Sequence, residues 1–151
     1  MVATPQQPEP VLVTVDNFVR AESDRMLAGM AKMGGFGRFD HTREPLPLDK
    51  QVAARGNRDT LYSIAVFDLA AGPVTITLPD AGQRFMSMIV IDEDHYVHAV
   101  VYGTGSYTCD QATIGTRYVL TGLRTLADPG QPQPSGVEGR GSRDSRMCAF
   151  V

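Results

Sequence analysis

The chain has 151 residues, 42% of them apolar and 21% charged, with a formal net charge of −3. That balance fits one globular domain with a real core and excludes a disordered chain. It also speaks against a nucleic-acid partner, whose phosphates call for clustered Lys and Arg, and no apolar run approaches the roughly 18 residues that suggest a membrane span.

The first ten residues, MVATPQQPEP, are polar and proline-rich and lack the charged start and apolar stretch of a secretory signal. As written, the expected location is cytoplasmic; an export signal could only lie upstream. Residues 1–10 are expected to be disordered, residues 11–128 to form a single mostly β domain, and residues 129–151 to form a disordered tail. The spacing of Phe18, Ala21, Met26, Leu27, Met30, Ala31 and Met33 predicts one helix over about 16–33. Thr14 or Asp16 would cap its start, Gly34-Gly35 would end it, and the Met-rich stripe would face the core.

Residues 36–60 carry little periodicity, and Glu44-Pro45-Leu46-Pro47-Leu48 must be extended because proline fixes its own φ and keeps its predecessor out of helix. From residue 61 the pattern becomes one of strands: 61–69, 74–78, 84–91, 97–102, 106–108 and 117–126, separated by turns such as Pro79-Asp80-Ala81-Gly82 and Gly103-Thr104-Gly105. The expected fold is mainly β, an antiparallel sandwich or partly open barrel with one N-terminal helix. After Asp128 apolar periodicity vanishes while Pro129, Pro132 and Pro134 accumulate.

Several blocks, among them GGFGRF at 34–39, HTREPLPLD at 41–49, NRDTLYS at 57–63, FDLAAGPVTITLPDAGQRFMSM at 67–88, VVYGTGSYT at 100–108 and GTRYVLTGLRTLADP at 115–129, resemble the family catalogued as domain of unknown function 1254. The resemblance covers roughly residues 11–129. It implies a mainly β fold forming the N-terminal half of a longer protein that continues into a second β domain, domain of unknown function 1214. It brings no agreed reaction and no established catalytic residues. The tail GQPQPSGVEGRGSRDSRMCAFV departs from that pattern and reads as a frameshift or truncation.

The densest polar cluster is Asn57-Arg58-Asp59-Thr60 with Tyr62. Arg58 offers a rigid fork of donors for an anion; Asp59 is either its buried counter-ion or a general base, and Tyr62 can donate to a polarised oxygen. His95 follows the acidic turn Asp92-Glu93-Asp94, where a carboxylate neighbour can raise imidazole basicity; an exposed turn histidine is the plainer reading. Asp59 and His95 are thus the catalytic candidates, and Asn57, Arg58, Tyr62 and Arg124 the ligand-binding ones. Arg124 lies within an apolar strand, so it should meet Asp59 or another carboxylate there or at the missing domain's interface.

No metal site is assigned: a set joining His41 to His95 needs the fold to bring them together, and His95 and His98 would face opposite sides of a strand. Cys109 and Cys148 read as two unrelated thiols, and no cofactor motif is present. Three functional readings follow. The domain is the ligand-binding half of an enzyme acting on a small anionic or ester-like substrate, or a non-catalytic module that packs on a second domain or on its own copies, or a truncated product with no function of its own. The expected partners are accordingly a small-molecule ligand, a homo-oligomer or the missing C-terminal β domain.

Overall fold

The computed structural model describes residues 10–49, 56–127 and 138–141. A helix, α1 (Phe18–Met30), runs into a wide turn at Ala31–Gly35 and then to a two-residue strand, β1 (Asp40–His41). The strands β2 (Thr60–Asp68), β3 (Val74–Leu78), β4 (Met86–Asp92), β5 (Val97–Tyr102) and β6 (Gly105–Cys109) follow. A single helical turn, α2 (Gln111–Ile114), precedes β7 (Tyr118–Leu126) and β8 (Glu138–Gly141). They form two open antiparallel sheets, one of order β1-β2-β7-β4-β5 and one of order β6-β3-β8. The mainly β fold with an N-terminal helix is therefore as the sequence implies, as open sheets and not as a barrel.

Period-two alternation sorts the residues of the large sheet. On β7, Val119, Thr121, Leu123 and Thr125 are buried, and their cross-strand partners Phe67, Ala65, Ser63 and Leu61 of β2 are buried with them. Met86, Met88, Val90 and Asp92 of β4 continue the same inner face. Val74, Ile76 and Leu78 of β3 meet this face from the small sheet in one core cluster. Phe39 packs edge-on against Phe67, with ring centroids 5.9 Å apart.

The outer face of the large sheet is treated unevenly. At the Asp68–Tyr118–Asp92 end it lies under α1 and the wide turn. Val66 points outward yet is fully buried there, the Phe36 and Tyr118 rings lie 6.5 Å apart, and the Gly37 N–H donates to the Val66 carbonyl at 2.9 Å. Gly34, at φ 114°, closes the helical segment in a conformation that glycine adopts freely. At the opposite end no helix among the described residues covers the outer face.

Three expectations need correction. The Met stripe is not core: of α1 only Ser23 and Leu27 are buried, and Met33 is 69% exposed, because the helix lies on the outside of a sheet whose core is on the other face. The residue before the helix is Asn17, which gives no side-chain cap and accepts instead from the Thr14 N–H at 2.7 Å. Residues 138–141, expected in a disordered tail, form β8 paired with β3. The rest of that tail, and residues 1–9, lie outside the described residues.

Removing the Phe67 ring would leave a cavity between the sheets and strip Phe39 of its edge contact. Phe67→Ala should cost roughly 3–5 kcal/mol, read as a lowered urea midpoint.

Candidate functional site

The five-stranded sheet has two polar ends, and the sequence-predicted residues divide between them. Thr60 pairs with Leu126 at one end of β7, while Asp92 pairs with Val119 near the other. Seven residues of β7 separate the two levels, about 23 Å of extended chain. Asn57 to Tyr62 and His95 therefore do not converge on one site.

The first end is a corner of the open outer face. Tyr62 of β2, Arg124 of β7, Ser87 of β4 and Tyr102 of β5 are successive cross-strand partners, so they form one row across four strands. The Arg124 guanidinium stands over the Tyr62 ring, 5.5 Å from its centroid. The Asn57 side-chain amide donates to the Tyr62 hydroxyl and to Thr60 Oγ1, both at 2.8 Å. The Asp59 N–H in turn donates to Asn57 Oδ1 at 2.9 Å, and the Asp59 carbonyl accepts from the Ala127 N–H at 2.7 Å. This network fixes the tyrosine on which the arginine stacks. Beyond the row, Phe85 and Tyr102 form a tilted ring pair at 6.2 Å.

Three candidates thus come together: Asn57, Tyr62 and Arg124. Arg58 and Asp59 are exposed, so they are not a buried ion pair. Arg124 does not meet the carboxylate expected of it: its side chain is exposed, and among the described residues its partner is an aromatic face. Alternation explains this, because the position points out of the sheet and pays no burial cost that a counter-ion would have to offset.

The second end joins α1 to the turn between β4 and β5. Arg20 holds Asp94 with Nε at 2.8 Å and Nη2 at 2.7 Å, and its Nη1 lies 3.5 Å from Glu93. Burial pushes the Glu93 carboxyl above its ordinary range. The Tyr118 N–H and Arg20 pull it down, and Asp24, hydrogen-bonded beside it, pushes it up again. Asp92 is buried too, but hydrogen bonds from His98 at 2.8 Å and the Tyr96 N–H at 2.8 Å outweigh burial and hold its carboxyl low. His95 closes the turn at φ 67°, its Nδ1 3.4 Å from the Ser23 hydroxyl. Its nearest helix partner is thus a hydroxyl, and its ring helps seat the helix.

A third pair was not foreseen. His41 Nδ1 lies 2.7 Å from the buried Ser63 hydroxyl, across the β1–β2 register, with burial and Arg43 pushing the imidazole down and Asp40 opposing them. Among the described residues no three His, Cys, Asp or Glu side chains gather into a metal-holding group. Cys109 is buried at the end of β6, and burial with Asp110 pushes its thiol up to about 11, far from a reactive thiolate. No helix among the described residues is long and apolar enough to cross a membrane.

An open two-sheet antiparallel fold, with α1 over one end of the large sheet and a polar-aromatic corner at the other, defines the class. A family model described as "Protein of unknown function (DUF1254)" matches residues 36–139, and the chain belongs to that family. The match begins after α1 and reaches into β8. No curated protein matches. Among solved structures, the chain is similar to the crystal structure of the VPA0106 protein from Vibrio parahaemolyticus, at 17% identity and a TM-score of 0.53. That likeness covers 74% of this chain and 30% of the other, so this chain spans under a third of the solved protein.

The acidic clamp gives a pH signature with a definite sign. A carboxyl raised in the folded state holds its proton more tightly there, so the stability it contributes is present at low pH and declines as pH rises through its folded value. Glu93→Gln keeps an acceptor for the Tyr118 N–H and a donor for Asp24. It should remove that decline, leaving the variant at least as stable as the parent at pH 7, whereas Glu93→Ala should be less stable. Urea unfolding between pH 4 and 8 reads both.

Proposed function

We propose that this domain binds a small anionic ligand on the open corner of its large sheet, as the ligand-binding part of an enzyme acting on anionic or ester-like substrates. The observation that carries the reading is Arg124: an exposed guanidinium stacked on Tyr62, within a row of side chains that supplies the Tyr62 and Ser87 hydroxyls. Stacking holds the planar fork in place, so less side-chain freedom is lost when an anion arrives. The Asn57 bonds to Tyr62 and Thr60 brace the platform from the β2 side. Asp59 remains beside this corner as the group able to move a proton, while His95 belongs to the far end.

Backbone chemical shifts followed while acetate and then sulfate are titrated into the full chain would test the reading. Shifts should gather at residues 57–62, 87 and 124, with weak affinity as expected of an open site. Arg124→Ala should weaken binding at least tenfold, since one charge-assisted hydrogen bond contributes about 1.5–3 kcal/mol. Shifts scattered over unrelated surfaces, or unaltered binding in the variant, would count against it.

A second reading, an interaction module, is favoured by the edge strand β5. Val97, Val100 and Tyr102 are each at least half exposed, and among the described residues β5 ends the large sheet. Exposed apolar side chains on an unpaired edge invite another strand or domain, and the fold occurs within a longer chain in the similar solved structure. On this reading light scattering should detect self-association at micromolar concentration; a clean monomer contradicts it.

A further inference from the structure

The corner has an apolar side as well as a charged one. Leu126 and Phe85 project from the strand ends next to Arg124 and Ser87, the Leu126 N–H donating to the Phe85 carbonyl at 2.9 Å. Phe85 is 47% exposed, Tyr102 66% and Leu126 43%. The Phe85–Tyr102 pair, tilted at 59°, offers ring surface on the β5 side of Ser87. Arg124 lies on its β7 side, and two strand spacings separate β7 from β5, ~10 Å. A bare inorganic anion would use the guanidinium and leave the rings unused. A ligand with a carboxylate at one end and a ring at the other would use both, lying across β4 with Ser87 beneath it.

Resting on the anion-binding reading, we infer that the ligand class of this corner is a small aryl-substituted carboxylic acid. Its carboxylate takes the Arg124 fork and accepts from the Ser87 hydroxyl. Its ring packs on Phe85 and Tyr102, where offset or edge-on contact between aromatic rings adds to the gain from burial. A two-carbon spacer between ring and carboxylate bridges the gap, and the free acid of an aryl ester would bind in the same pose.

The test compares 3-phenylpropionate, propionate and sulfate on the full chain by chemical-shift titration, with Tyr102→Ala and Arg124→Ala as variants. Phenylpropionate should bind about tenfold more tightly than propionate. Tyr102→Ala should abolish that preference while leaving propionate affinity unchanged, and Arg124→Ala should weaken both. Equal binding of all three anions at Arg124 overturns the aryl-acid assignment and leaves the anion site standing. A preference for phenylpropionate that survives in Tyr102→Ala overturns the assignment as well, because the ring then binds elsewhere. Absence of binding by any of the three overturns both. Since Tyr102 is exposed at a sheet edge, its replacement should leave the unfolding midpoint close to the parent's.

Discussion

Strand β7 is the element on which everything else is registered. It lies between β2 and β4, hydrogen-bonded to both along nearly its whole length, and its alternation decides what each neighbour buries. Val119, Thr121, Leu123 and Thr125 commit one face to the core; Leu120, Gly122 and Arg124 are committed to the other. A slip by one residue would drive Arg124 into the core and Leu123 into solvent, so the hydrophobic energy of the core also fixes the place of the guanidinium. The row Tyr62–Arg124–Ser87–Tyr102 is a by-product of the same pairing.

The two ends of the sheet differ in how they manage charge. Near α1, three consecutive acidic residues are brought to a helix, and each has its own set of partners: Asp92 has His98 and a backbone amide, Glu93 the Tyr118 amide with Arg20 nearby, and Asp94 the Arg20 guanidinium. Little is left for a ligand there. At the open corner the cation has an aromatic face as its partner, an arrangement that keeps its donors available to solvent. Electrostatics thus separates an end whose charges hold structure together from an end whose charge remains accessible.

Strands were legible because alternation and turn residues are local signals. Val74–Leu78 and the turn at Gly103 needed no tertiary information. The helix was legible as a helix, but its apolar stripe misled, because periodicity records which side is apolar and not how deeply that side is covered. Asn57 and Tyr62 were suggested together by sequence proximity. Their union with Arg124, and the entry of Ser87 and Tyr102 into the row, depend on strand order, which no local pattern encodes. The His41–Ser63 pair was hidden for the same reason, since its partners meet only through the β1–β2 register. β8 was missed because its sequence, Glu-Gly-Arg-Gly, has little strand propensity; edge pairing to β3 supplies what the residues lack.

The ladder between β4 and β5 contains one irregularity: Val90 faces Ala99 while Ile91 faces Val97, so His98 is an extra residue. The strand on either side of that point is out of phase, and the surplus residue supplies the imidazole that caps Asp92. The hairpin's length is consequently locked from both directions. Shortening it by one residue would smooth the ladder but strand a buried carboxylate, and lengthening it would carry Glu93 and Asp94 away from Arg20. For anyone grafting sequence onto this scaffold, the acidic bend, simple as it looks, is the place to leave alone.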